Sequence, residues 1–126
     1  MKNKYSVILG NLGNTCDRFC KSYKTNPSSE RMLELAAENM PYIGGVELVG
    51  TWDIRPDNAK EMKKRLDGYG LECASIIPDT FGDSDYGKGS VSSIDPAVRR
   101  KALDYLRSMC EVALQVDCRI VNLWMA

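Results

Sequence analysis

Side chains able to do chemistry are unevenly supplied along this chain: Lys+Arg and Asp+Glu each number 17, there are five cysteines, and histidine is absent. That absence removes the commonest general base and the commonest metal-ligating nitrogen together. Asp79, Asp83 and Asp85 form a carboxylate run. Its spacing lacks the twelve-residue pattern ending in Glu that a calcium loop needs, so the segment reads as a solvated lid. Glu47 alternates with Val46 and Leu48. If those two pack outward on helices, Glu47 points inward, either to bond a ligand hydroxyl or to be satisfied by backbone and water. Arg99 and Arg100 resemble a phosphate clamp, but they lie in the first two turns of a helix and read as surface or intersubunit pairs. Cys16 and Cys20 lack a second pair or a nearby histidine, so they read as free thiols rather than a zinc site. Five scattered cysteines (with Cys73, Cys110 and Cys118) do not suggest a disulfide framework. No Gly-rich phosphate fingerprint, nucleophile elbow or basic-aromatic stripe is present.

The elements that must position these residues alternate strictly between strand and helix. Tyr5 to Gly10 is a short apolar run of the kind buried on both faces of a parallel sheet. A polar loop from Asn11 to Lys24 leads to Asn26-Pro27-Ser28-Ser29, which opens a helix with Pro27 in its first turn. Leu33, Ala36, Ala37 and Met40 give that helix one apolar face. Gly44-Gly45 precedes a second strand, Val46 to Val49. Asp57 is the expected cap of the next helix, whose Ala59, Met62 and Leu66 share a face and whose stop is Gly70. Leu71 to Ile77 is a third strand, ended by Pro78, and Asp79 to Ser93 is a loop. Asp95-Pro96 caps the longest helix, with Val98, Ala102, Leu106, Met109 and Ala113 at helical spacing. Arg119 to Trp124 is expected to be a fourth strand. Four strands joined by three helices imply parallel pairing through right-handed crossovers.

Size and charge narrow the classes. The chain has 126 residues, 44% apolar and 27% charged, with zero net charge. That is an ordinary globular balance, and it offers nothing to a phosphate backbone, so no nucleic-acid partner is expected. The apolar stretch after Met1 to Lys4 is too short to cross a membrane and no cleavage site follows it, so no membrane partner and a cytoplasmic location are expected. A closed eight-stranded barrel usually takes about 250 residues. The sequence stops directly on its last apolar strand, at Trp124-Met125-Ala126, leaving an uncovered parallel edge. The expectation is a chain cut from something longer, or one whose partner supplies the missing neighbours.

From Gly70 onward the sequence resembles the xylose isomerase family. The carrying residues are Gly70-Leu71-Glu72-Cys73, Pro78-Asp79-Thr80-Phe81 and the stretch from Gly89 to Leu103, which contains Val98-Arg99-Arg100-Lys101-Ala102-Leu103. A long helix then leads to a strand ending in Trp, here Val121-Asn122-Leu123-Trp124. Before Gly70 only the β/α rhythm is shared, and flavodoxin-like folds have that rhythm too. The resemblance implies parallel (β/α) units forming the first four strands of a TIM barrel, with residues 1–126 its N-terminal half. The family's histidine near the second strand has no counterpart in Glu47 to Asp53. That departure points away from xylose isomerase proper and toward the broader group of sugar isomerases, epimerases and related lyases.

Barrel sites form at the C-terminal ends of strands, here Asn11, Thr51, Trp52, Asp53, Asp79, Phe81, Asn122 and Trp124. By the resemblance, Phe81 and Trp124 line a sugar pocket and Asp79 takes the place of a polar residue at the third strand's end. Trp52 and Trp124 suit the apolar face of a sugar ring, or else core packing. Asn122 shares the face of Trp124 and is either a substrate contact or a loop cap. Glu47, Trp52, Asp79, Phe81, Asn122 and Trp124 are therefore the candidate substrate-binding residues, and no catalytic or metal-ligating residue is assigned. The resemblance implies a divalent ion (Mn²⁺ or Mg²⁺) in the complete enzyme, held by residues beyond Ala126. Two other readings stay open: a half-barrel module that self-associates through its fourth strand, and a small doubly wound domain.

Overall fold

The computed structural model describes residues 5–13, 25 and 27–124. Most of the loop expected from Asn11 to Lys24 lies outside them, as do Cys16, Cys20 and Asn26. Three strands, β1 (Tyr5–Ile8), β2 (Ile43–Val49) and β3 (Glu72–Ile77), form one parallel sheet in the order β1-β2-β3. The helices α1 (Ser29–Asn39), α2 (Ala59–Tyr69) and α3 (Pro96–Gln115) follow the strands in turn.

Local chemistry sets the helix ends. Ser28 caps α1 by accepting the Arg31 N–H at 3.2 Å, which puts Pro27 just before the cap rather than in the first turn. Asn58, not Asp57, holds the N-cap position of α2; Asp57 pairs instead with Arg55. Asn58 was the better choice because its amide serves both sides of the turn, accepting from the Arg55 N–H at 2.7 Å and donating to the Asp53 carbonyl at 3.1 Å. Gly70 ends α2 in the left-handed region at φ 67°, where a side chain would be strained. Asp95 caps α3 as its Asp-Pro pair suggested, accepting the Ala97 N–H at 2.8 Å.

All three helices cover the same face of the sheet. Leu33 and Ala36 of α1, Met62 and Leu66 of α2, and Met109 and Val112 of α3 share one buried cluster with Val46 and Leu48 of β2 and Ile76 of β3. Sequential strand order with every described helix on one side is a singly wound arrangement, the start of a barrel rather than a doubly wound sheet. Among the described residues the sheet does not close.

The fourth strand is the main difference from expectation. The segment after α3 runs parallel to β3, but it pairs only at an isolated bridge between Ile76 and Val121. Two backbone bonds flank it, from Ile76 N–H to the Ile120 carbonyl (2.9 Å) and from Asn122 N–H to the Ile76 carbonyl (2.8 Å). Ile120, Leu123 and Trp124 remain 57%, 47% and 40% exposed. A parallel strand gains its usual stability from neighbours on both edges, and this segment has one. Among the described residues no helix is long and apolar enough to cross a membrane.

The helix-facing side is the source of stability. Leu48→Ala, at a fully buried core position, should lower unfolding free energy by about 2–5 kcal/mol in urea titrations followed by circular dichroism. Leu114→Ala, on the exposed flank of α3, should change it by no more than about 0.5 kcal/mol.

Candidate functional site

Val46 and Leu48 pack against the helices, so the strand's two-residue alternation turns Glu47 to the opposite face. There it lies between neighbours on both adjoining strands. Ser75 of β3 donates to Glu47 Oε2 at 2.7 Å, and Ser6 of β1 donates to Oε1 at 3.3 Å. This row of polar groups crosses all three strands on the side a closed barrel would enclose.

At the C-terminal ends of the strands the chain builds a tighter cluster around Asp79. Its Oδ2 accepts the Thr51 hydroxyl at 2.8 Å, its Oδ1 accepts the Gly82 N–H at 2.8 Å, and its own N–H donates to the Tyr105 hydroxyl at 3.0 Å. Asp79 is only 3% exposed, which departs from the solvated lid expected for this run; Asp85, by contrast, is exposed and pairs with Lys101. Burial raises the Asp79 carboxyl above its ordinary value, opposed by the bonds from Thr51 and Gly82. Burial also pushes the Tyr105 phenol up to about 12, so it stays neutral and able to accept.

Three aromatic rings stand over this cluster. Trp52 meets Phe81 edge-on with centroids 5.7 Å apart, and Phe81 meets Trp124 at 5.0 Å with a 43° tilt. Gly82 leaves room for Trp52 beside Asp79: a Cβ on it would fall 3.0 Å from the Trp52 ring and 2.7 Å from Asp79 Oδ1. Trp124 is held by its main chain, whose carbonyl accepts the Thr80 hydroxyl at 3.1 Å. Of the six candidates, then, Trp52, Asp79, Phe81 and Trp124 come together. Glu47 lies deeper along β2, and Asn122 is exposed with its N–H bound to Ile76.

The turn carrying Trp52 is unusual. Thr51 has φ 66°, a costly conformation for a β-branched residue, and it is held there by Asp79 and by the Arg55 guanidinium on its carbonyl. Asp53, two residues on, is fully buried and accepts from Ser29 Oγ at 2.9 Å and from the Val49 N–H at 2.9 Å. Sequence reading missed Ser29 and Tyr105. The signal for Tyr105 was its position between Ala102 and Met109 on the buried face of α3; nothing local marks Ser29.

Among the described residues no three His, Cys, Asp or Glu side chains converge as a metal site. Asp79 and Asp53 each accept one hydrogen bond on each oxygen, and among the described residues neither is joined by two further acidic, Cys or His side chains that could complete a ligand set. These residues do not fit a divalent ion. What the cluster can offer is a set of apolar ring faces at the strand ends, fixed from below by a buried acceptor.

A singly wound parallel sheet, helices on one face and a polar row on the other, with a built cluster at the strands' C-terminal ends, defines the class: part of a (β/α) barrel. The family model of the xylose isomerase-like TIM barrel matches residues 33–126, most of the chain, and the chain belongs to that family. No curated protein matches it.

Asp53 gives a pH test. Its carboxyl is raised from 3.8 by burial, against the lowering effect of Val49 and Ser29. The folded state therefore holds this proton more tightly than the unfolded one. That contribution is fully present below the unfolded pKa and is lost as pH rises through the folded value. Asp53→Asn, close to isosteric and uncharged, should escape the loss. The stability difference between variant and parent should shift toward the variant as pH rises from about 4 to about 7, read from urea midpoints.

Proposed function

We propose that this chain forms the sugar-facing wall of a sugar isomerase, epimerase or related lyase of the xylose isomerase-like type. The observation that supports it most directly is the Trp52–Phe81–Trp124 group over Asp79 at the strand ends. Indole and phenyl faces match the C–H face of a sugar ring, and the rim position is where barrel enzymes bind. Glu47, between Ser6 and Ser75, is the inward carboxylate available to a ligand hydroxyl, and exposed Asn122, across β3 from it, is the second polar side chain assigned to the ligand. In this reading a divalent ion of the Mn²⁺ or Mg²⁺ type serves the complete enzyme from side chains other than those of this cluster. A cytoplasmic location belongs to the same proposal.

The exposed Ile120, Leu123 and Trp124 along an open sheet edge favour a second reading, in which two copies of the chain associate through that edge. Sedimentation separates the two: a discrete dimer supports self-association.

Titrating the full chain with a pentose or hexose should quench tryptophan fluorescence saturably. Trp124→Ala and Phe81→Ala should each weaken the apparent affinity about tenfold, roughly 1.4 kcal/mol. A linear, unsaturable response, or variants indistinguishable from the parent, would rule out the sugar wall. The chain alone should show no isomerase turnover and no stoichiometric Mn²⁺ or Mg²⁺ binding by calorimetry; either one would place the metal chemistry within these residues.

A further inference from the structure

Cys73 and Cys118 are distant in sequence but neighbours in the fold. Both are buried in the helix-facing core, at 8% and 6% exposure. The bridge between Ile76 and Val121 sets how their two segments run alongside each other. Three residues back from it on each side stand Cys73 and Cys118. Parallel strands lie about 4.8 Å apart at such a bridge, and both cysteines belong to one buried cluster, which brings them toward the roughly 4.4–6.8 Å between Cα atoms that a disulfide spans. The Cys73 thiol donates to the Ser75 carbonyl at 3.6 Å, and the two sulfurs are close enough to perturb each other's ionisation. Cys118 Sγ also lies 3.3 Å from the Ile120 carbonyl, which itself accepts the Ile76 N–H, so this sulfur rests on the peptide that ties the segments together. Their mutual interaction pushes the Cys73 thiol up and holds Cys118 low, which makes Cys118 the readier of the two to ionise.

There is also a way in. A cavity of about 520 Å³ opens at the N-terminal end of β3, with Cys73 in its wall beside Lys63 and Arg119. It lies at the end of the strand opposite the aromatic cluster, and the proposed sugar site makes no use of it.

We propose that Cys73 and Cys118 are a reversible thiol-oxidation site, which a peroxide reaching them through this cavity closes into a disulfide between β3 and the segment after α3. One sulfur of the pair, as thiolate, attacks a peroxide oxygen. The O–O bond breaks, an S–O bond forms, and the departing hydroxide leaves as water with the proton that the first thiol gave up. The second sulfur then attacks the sulfenic sulfur. An S–S bond forms, the S–O bond breaks, and the released hydroxide takes the second thiol's proton. Two thiols and one peroxide become one disulfide and two waters, and an added thiol reverses the change. The crosslink would pin the edge segment three residues before its bridge, and so steady the approach to Trp124.

Peptide mapping of the unmodified full chain after hydrogen peroxide, under non-reducing conditions, tests this. The expected product is a Cys73–Cys118 linked peptide that disappears with dithiothreitol, together with a rise of several degrees in thermal midpoint. Cys110, exposed on α3, serves as the internal reference for a thiol without a partner. Cys73→Ser and Cys118→Ser should each abolish the linked peptide and the midpoint shift. The proposal fails if Cys110 is fully oxidised while Cys73 and Cys118 remain thiols, or if either of them links to a different cysteine instead.

Discussion

A carboxylate withdrawn from water must be met by donors, and the donors that meet Asp79 come from separate parts of the chain. Thr51 reaches it from the turn after β2, Gly82 from the loop after β3, and the Tyr105 hydroxyl receives its N–H from the middle of α3. The bonds with Thr51 and Tyr105 cross boundaries between elements and the Gly82 bond closes the loop on itself, so together they fix the turn, the loop and the helix relative to one another. An unpaired carboxylate at this depth would cost several kcal/mol, which gives the arrangement little freedom to relax. The aromatic rim follows from this one constraint. Trp52 adjoins Thr51 in sequence, Phe81 lies two residues beyond Asp79, and Thr80 between them holds the Trp124 carbonyl.

The same logic accounts for the left-handed Thr51. A β-branched residue at φ 66° is strained, and the strain persists because the hydroxyl must point at Asp79 while the next residue turns its indole toward Phe81. Buried Asp53 then closes the turn back onto the end of β2 and the start of α1. The two faces of the sheet divide the labour. One is sealed by helices and supplies stability, while the other keeps Ser6, Glu47 and Ser75 in a polar row that only makes sense where the sheet curves around something.

Much of the scaffold could be read from residues in order, because its causes are local. Asp95-Pro96 at a helix start, Gly70 at a helix end and the Val46-Glu47-Leu48 alternation each act within a few positions, and each does what its chemistry dictates. The cap of α2 was misread within a single turn, and the other misreadings come from interactions that span the fold. Asp57 looked like a cap, but Asn58 could serve Arg55 and Asp53 at once. The run from Arg119 to Trp124 has the composition of a strand, yet pairing needs neighbours, and it finds one bridge. Asp79 looked like part of a solvated acidic run because nothing near it in sequence reveals Thr51 or Tyr105 waiting as partners. For the candidate site, the types of residue at the strand ends were legible, whereas the contacts that separate Trp52, Phe81 and Trp124 from Glu47 and Asn122 exist only in three dimensions.

Asp79 is the pin of the rim. Near- and far-ultraviolet circular dichroism of Asp79→Ala tests that most directly, since the near-ultraviolet signal reports fixed aromatic packing and the far-ultraviolet signal reports helices. Loss of the tryptophan bands with helical signal retained is the predicted result. Tryptophan bands unchanged from the parent chain would mean that the rings hold their places without the carboxylate, and the account would be wrong.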